Sequence, residues 1–364
     1  MSKKITFLLW VFCASLIVSC SEDETYVPID EPDPVSPVNF DIENVPFDTL
    51  SEYNFFEGSM ANLDPVYGVV PYTLINTLFS DYAKKKRFVW MPSDVKANYN
   101  GDNAPLSFPV GTILIKNFYY ENVLPSGNTK ILETRLMIRK AEGWEFANYR
   151  WNDQQTEATY DMNGSFVDFE WEEGGQVKSV NYRIPAGAEC QTCHKTGEDI
   201  PLPIGPKPRN LNLNYAYSDG NANQLAKLID MNYLEDNLPA NIETMVSWKD
   251  PSASMNDRAR AYLDINCAHC HSEEAHCAYR PVRFSYEDTV DPVNLGLCVE
   301  PDTDLGVGMT HIVNADNVLR SMMYYRLNTT DEAVRMPLMG RTLIHEEGVQ
   351  LIFDWNSSLE STCN

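Results

Sequence analysis

The sequence predicts an α+β protein, with an N-terminal antiparallel β-meander domain followed by an all-α domain. Three observations carry this expectation. Between Thr73 and Pro185, apolar and polar residues alternate with a period of two and are interrupted by turn dipeptides. From Asp257 onward the apolar spacing becomes helical. The chain has 364 residues, and what remains beyond a leader and a tether is long for one small domain and suits two.

The first element reads as an export signal. Lys3 and Lys4 form a charged start, and Ile5 to Val18 form an apolar stretch too short to span a bilayer comfortably. Ile17-Val18-Ser19-Cys20 resembles the lipobox of bacterial lipoproteins, which implies cleavage after residue 19 and a lipid on Cys20. No later segment is apolar for long enough to cross a membrane, so lipid is the expected anchor. Residues 20–48 read as an acidic tether with Pro28, Pro32, Pro34 and Pro37. Its opening run Ser21-Glu22-Asp23-Glu24 resembles the surface-export signal of some Gram-negative lipoproteins. The expected location is therefore the outer membrane, facing the periplasm or the cell surface.

Residues 49–215 read as the β-rich domain. Strands are expected over Val110–Tyr120, Ile131–Lys140, Trp144–Trp151, Ala158–Met162, Phe166–Trp171 and Val177–Ile184. Turns fall at Ser126-Gly127, Glu142-Gly143, Asn163-Gly164 and Gly174-Gly175. In the second strand Leu132, Leu136 and Ile138 share one face while Glu133, Arg135 and Arg139 share the other, which predicts one wet side. A shorter apolar pattern from Tyr72 to Tyr82 suggests a helix packed on the sheet.

Residues 216–364 read as the helical domain, with helices over Asp257–Ile265 and Glu346–Leu359; Val349, Ile352, Trp355 and Leu359 would face inward on the second.

Two short motifs carry the chemistry: Cys190-Gln191-Thr192-Cys193-His194 and Cys267-Ala268-His269-Cys270-His271. Two cysteines three apart on a helical turn present both sulfurs to the vinyl edge of a haem, and the following histidine drops onto the iron. With 9 Cys and 6 His in the chain, one such motif arises by chance in roughly 0.4 per cent of shuffled sequences, and two arise far less often. The expected cofactors are thus two covalently bound haems c, attached at Cys190, Cys193, Cys267 and Cys270, with His194 and His271 as iron ligands. A zinc site drawn from Cys267, Cys270, His271, His276 and Cys277 is the rival. His269, at a free position of its motif, is expected to be exposed.

Arg335-Met336-Pro337-Leu338-Met339-Gly340 stands 65 residues beyond His271. A cysteine-bearing helix, a Met-Pro loop and a closing helix resemble a class I cytochrome c domain, which implies Met336 as sixth ligand of the second haem, with Met339 its competitor. The first haem has no such partner at an obvious spacing; Met231, Met245, Met309 and His311 are candidates. A β-meander followed directly by this motif also resembles the β-sheet cytochromes c′, whose iron keeps an open side. Of the other cysteines, Cys13 leaves with the leader, Cys277 and Cys298 are able to pair, and Cys363 is expected to be free.

Several further landmarks resemble a family of bacterial diheme c-type cytochromes: Leu78-Phe79-Ser80-Asp81-Tyr82-Ala83, Glu133-Thr134-Arg135-Leu136, Trp151-Asn152-Asp153-Gln154-Gln155-Thr156-Glu157-Ala158, Pro203-Ile204-Gly205-Pro206-Lys207 and Ala259-Arg260-Ala261-Tyr262-Leu263. The resemblance spans residues 70–360 and implies haem binding and electron transfer. It departs in the loop from Cys277 to Cys298. A formal net charge of −24 disfavours nucleic acid and favours redox partners with a basic docking face. A carrier is the expected role rather than an enzyme; a diheme peroxidase or a gas-binding cytochrome with an open iron at the first haem is the alternative.

Overall fold

The computed structural model describes residues 34–197 and 200–363. The leader, Cys20 and the tether up to residue 33 lie outside the described residues.

Eight strands form one antiparallel sheet: β1 (Val70–Tyr72), β2 (Lys84–Trp90), β3 (Ile113–Val123), β4 (Asn128–Lys140), β5 (Gly143–Trp151), β6 (Ala158–Tyr160), β7 (Ser165–Glu173) and β8 (Gln176–Ile184). The first six pair in chain order, while β7 pairs with β8 and touches β3 at Val123 opposite Trp171. Short turns join β3 to β4, β4 to β5 and β7 to β8, longer connections (73–83 and 91–112) place β1 and β2, and the alternation of side chains sets which face each residue occupies. One face carries Phe88, Trp90, Ile113, Ile115, Leu136, Ile138 and Tyr149, and the segment bearing Leu50, Tyr53, Phe55 and Leu63 buries it.

The opposite face is not the wet side expected from β4. Glu133 is fully buried, and Val89, Leu114 and Met137 on this face pack with Leu225 and Leu228. Polar alternation marks a face that is not filled by apolar side chains; here later parts of the chain cover it. The expected helix over Tyr72–Tyr82 is also absent. Asn76 spends its side chain on Val246 O and Trp248 N, and Asp81 and Tyr82 take left-handed φ values of 49° and 65°, which a right-handed helix does not accept.

After β8 come α1 (Gly187–His194), two-residue strands β9 (Lys195–Thr196) and β10 (Ile200–Pro201), α2 (Pro208–Leu211), a hairpin of β11 (Asn214–Tyr217) and β12 (Gly220–Asn223), α3 (Gln224–Asp230), α4 (Met255–Cys267), α5 (Met322–Leu327) and α6 (Glu346–Ser357). The expectation of an all-α class I cytochrome c-like domain is overturned. The region begins in a β-hairpin, α3 and α5 are two turns or less, and a long connection between α4 and α5 forms no α-helix. Pro281, Pro292, Gly296, Pro301, Gly306 and Gly308 punctuate that connection and break helical bonding. Among the described residues no helix is long and apolar enough to cross a membrane.

Residues 36–364 make up one compact unit. The sheet half and the helix-bearing half are stitched by buried polar bonds: Phe79 N donates to Asn266 Oδ1, Asn76 N to Asn210 Oδ1, and Thr342 and Leu343 N both donate to the Asp81 carboxylate.

Candidate haem-binding site

The first motif is α1. Its start is held by Glu189, which accepts from Ala186 N at 2.8 Å and pairs with Arg183 at 2.8 Å. At its end, His194 Nδ1 lies 2.6 Å from Leu202 O, and Leu202 N returns a bond to His194 O at 2.8 Å. A carbonyl only accepts, so Nδ1 carries the proton and Nε2 keeps its lone pair, the arrangement in which a histidine serves a metal. The ring leans on Phe146 of β5 with centroids 5.1 Å apart. Burial holds the imidazole down to about 4, so it is neutral at neutral pH.

The second motif begins on the last residue of α4, whose first turn is capped by Ser254. Cys270 N and His271 N both bond back to Cys267 O, at 3.1 and 2.9 Å. Helix α6 lies across α4, burying Val349, Ile352 and Trp355 against Ala259, Tyr262 and Leu263. Any side chain at Gly348 would collide with the Tyr262 ring, so glycine there permits the close approach. His271 packs beside Phe284 at 5.5 Å, is held down to about 4 by burial, and has a buried Nδ1 with no hydrogen-bond partner.

Each motif opens onto a cavity. The one at the second motif encloses about 1140 Å³, counting the space at its mouth, and is almost wholly apolar; Cys267, Cys270, His271, Met322, Met323 and Met336 are in its wall. The one at the first motif encloses about 1320 Å³ on the same basis, between α1 and the covered face of the sheet, with Cys190, Cys193, His194, Lys116, Met137 and Phe146 in its wall. Cys193, His269, Pro337 and Met339 line both.

Met336 shares a cavity with His271, and Met339 sits at the junction of the two cavities. Their loop is held from two sides. The buried Arg341 guanidinium donates to the carbonyls of Met336, Thr329 and Leu343, and Asp81 accepts from Thr342 and Leu343. Neither residue was legible as part of the site, because an anchor of this kind has no fixed spacing. Met231, Met245, Met309 and His311, the candidates for the first iron, do not line its cavity.

His269 is half-buried between the two cavities, not exposed, and its Nδ1 has no partner. The sulfurs of Cys193 and Cys270 and a ring nitrogen of His269 lie within 4.8 Å of one another. Cys270 and His269 beside it hold the Cys193 thiol well below its ordinary range, while the same contact with Cys193 pushes Cys270 up; burial raises Cys190, and lifts Cys267 to about 12. Among the described residues this trio is the one cluster of metal-binding type, and it differs from the five-residue zinc set that spacing suggested. The proposed bond between Cys277 and Cys298 is also corrected: Cys298 is joined to Cys363, and Cys277 is a buried free thiol. The tail reaches Cys298 because Asp316 accepts from Cys363 N at 2.9 Å.

The residues fit two haems c. Each motif has its cysteines and a half-buried histidine, neutral at neutral pH, at the wall of a cavity. The Nδ1-protonated tautomer of His194, held on Leu202 O, is what such a ligand requires, whereas His271 Nδ1 has no corresponding partner.

Comparison with known proteins finds no matching family model, no matching curated protein and no matching solved structure.

Proposed function

We propose that the chain is an exported diheme c-type cytochrome that carries electrons between protein partners. The observation that supports it best is the meeting of the two CxxCH motifs: Cys193 and Cys270 touch, and their cavities share four wall residues. The haems, when bound, supply one-electron exchange at iron. The chain's own residues do the rest. Cys190, Cys193, Cys267 and Cys270 hold the two groups, His194 and His271 offer neutral imidazoles, and Met336 offers a thioether that favours ferrous iron. The apolar wall of the second cavity excludes water and so favours the less charged state.

In this reading Cys20 carries lipid at the outer membrane, and the acidic surface receives a basic partner. The Cys298–Cys363 disulfide accords with an oxidising compartment. The first cavity offers Met137, Met339 and His269 as sixth ligands; an open iron there is the peroxidase or gas-binding version.

A second reading has an observation of its own. Cys193, His269 and Cys270 as thiolate, imidazole and thiolate suit a zinc ion. The two readings exclude each other, because a thioether sulfur no longer serves as a thiolate. The test is a pyridine haemochrome assay with metal analysis, on protein matured with a c-haem assembly system, repeated under carbon monoxide. Two haems per chain without zinc are expected. One zinc and no haem would overturn the reading, and a carbon monoxide shift at one haem would turn the carrier into an open-iron protein.

A further inference from the structure

The covered face of the sheet carries a row of cations. Arg87 of β2 is directly opposite Lys116 of β3, Lys116 is opposite Arg135 of β4, and Arg135 is opposite Asn148 of β5. Residues directly opposite share a face, so these four stand in line across four strands. All four are in the wall of the first-motif cavity. Like charges directly opposite one another destabilise a sheet, and buried cations without partners cost more.

Little within the protein offsets that cost. Arg135 is paired with Glu133, and the Phe118 ring lies 4.9 Å from Lys116 Nζ and 4.3 Å from the Arg135 guanidinium. Arg87 is 5 % exposed, yet among the described residues its guanidinium has no hydrogen bond or ion pair, and neither has the Lys116 ammonium. Asn148 is 2 % exposed with both amide atoms unpartnered. A chain with 52 acidic residues brings one, Glu133, to this row among those described. Burial, with Arg87 and Lys85 beside it, pushes Lys116 well below its usual range.

The row also has a direction. Helix α1, which carries the first motif, packs on β5, where the His194 ring leans on Phe146 at 5.1 Å. At the usual strand spacing Arg87 stands roughly 9–10 Å further across the sheet than Arg135. Arg87 thus lies at the end of the row remote from α1, with Lys116 between it and Arg135.

We propose that Arg87 and Lys116 form a seat for carboxylates, and that its occupants are the propionates of the haem attached at Cys190 and Cys193. A haem bound through its vinyl edge has its carboxylates on the other edge, where this row is free to accept them, and an anion there removes the cost of burying the cations. The proposal rests on the diheme reading, and a free small anion is the other source of the same chemistry.

The test uses full-length matured protein. Arg87→Gln and Lys116→Gln should each retain two haems, because the thioether bonds remain. Each should shift the propionate bands in the resonance Raman spectrum and lower the midpoint potential of the first haem, leaving the second unchanged. Arg87→Lys should restore most of both. Unchanged bands and potential in both Gln variants would overturn the proposal. So would conversion of the first haem from six- to five-coordinate in Lys116→Gln, which would make Lys116 an iron ligand. If a variant fails to fold, titrating the wild type with inorganic phosphate and acetate remains decisive: no spectral response is expected, and saturable binding would assign the seat to a free anion. A wild type lacking haem at the first motif while it retains the second would show instead that the diheme reading had failed.

Discussion

Cys193 and Cys270 are 77 positions apart in the chain, and their sulfurs are neighbours across the wall between two cavities, within 4.8 Å together with His269. The contact makes the two motifs one centre.

Two haems attached at touching cysteines should couple optically. The matured protein should give a two-lobed circular dichroism signal across the Soret band, and the double variant Cys267→Ala with Cys270→Ala, which removes the second attachment, should collapse it to a single lobe while leaving the first haem attached. A single lobe in the wild type would mean that the chromophores are not adjacent.

Met336→Ala should lower the potential of the second haem and let the reduced form bind carbon monoxide, because the loop delivers Met336 to the cavity of His271. Met322, Met323 and Met339 are also in that wall. A wild-type spectrum in Met336→Ala would transfer the role to one of them, and the same measurement on each single variant would identify it.

The Asp81 carboxylate is 2 % exposed and accepts from Thr342 N, Thr342 Oγ1 and Leu343 N. Asp81→Ala leaves these donors buried without an acceptor and should cost about 3 kcal/mol in denaturant unfolding. It should also loosen Met336, so that the second haem's ligand band weakens before the protein unfolds. A loss under about 1 kcal/mol would mean that water replaces the carboxylate.

His345 stacks on Phe79 at 4.1 Å and meets Tyr262 Oη at 3.0 Å, and burial holds it down to about 4 from an ordinary 6.5. The unfolded state then binds the proton more readily than the folded state. Stability should be full above pH 6.5 and fall as the pH drops from 6.5 toward 4, by up to roughly 3 kcal/mol. His345→Phe should flatten that part of the stability profile; an unchanged slope would place the acid sensitivity elsewhere.

What was legible in the sequence follows from how each feature is encoded. The two CxxCH motifs were legible because each is contiguous in the chain. Strands such as Gln176–Ile184 announce themselves by alternation. Alternation does not say what covers a face, so Glu133, Arg135 and Arg139 read as wet although Glu133 is fully buried. The cation row was invisible for the same reason: Arg87, Lys116 and Arg135 align through hairpin registers. In the C-terminal half, α4 and α6 were readable from their apolar stripes, but the proline- and glycine-broken chain between them does not make an all-α domain. The partner of Cys298 depended on where Asp316 holds the tail.

The Cys298–Cys363 bond spans 65 positions, and a chain that emerges N-terminus first exposes Cys298 before its partner exists. During that interval Cys190, Cys193, Cys267, Cys270 and Cys277 are the thiols within reach. Correct assembly is therefore a matter of scheduling: cofactor attachment, on the proposed reading, would occupy the four motif thiols and leave Cys277 as the one competitor, and Cys277 is buried in the folded chain.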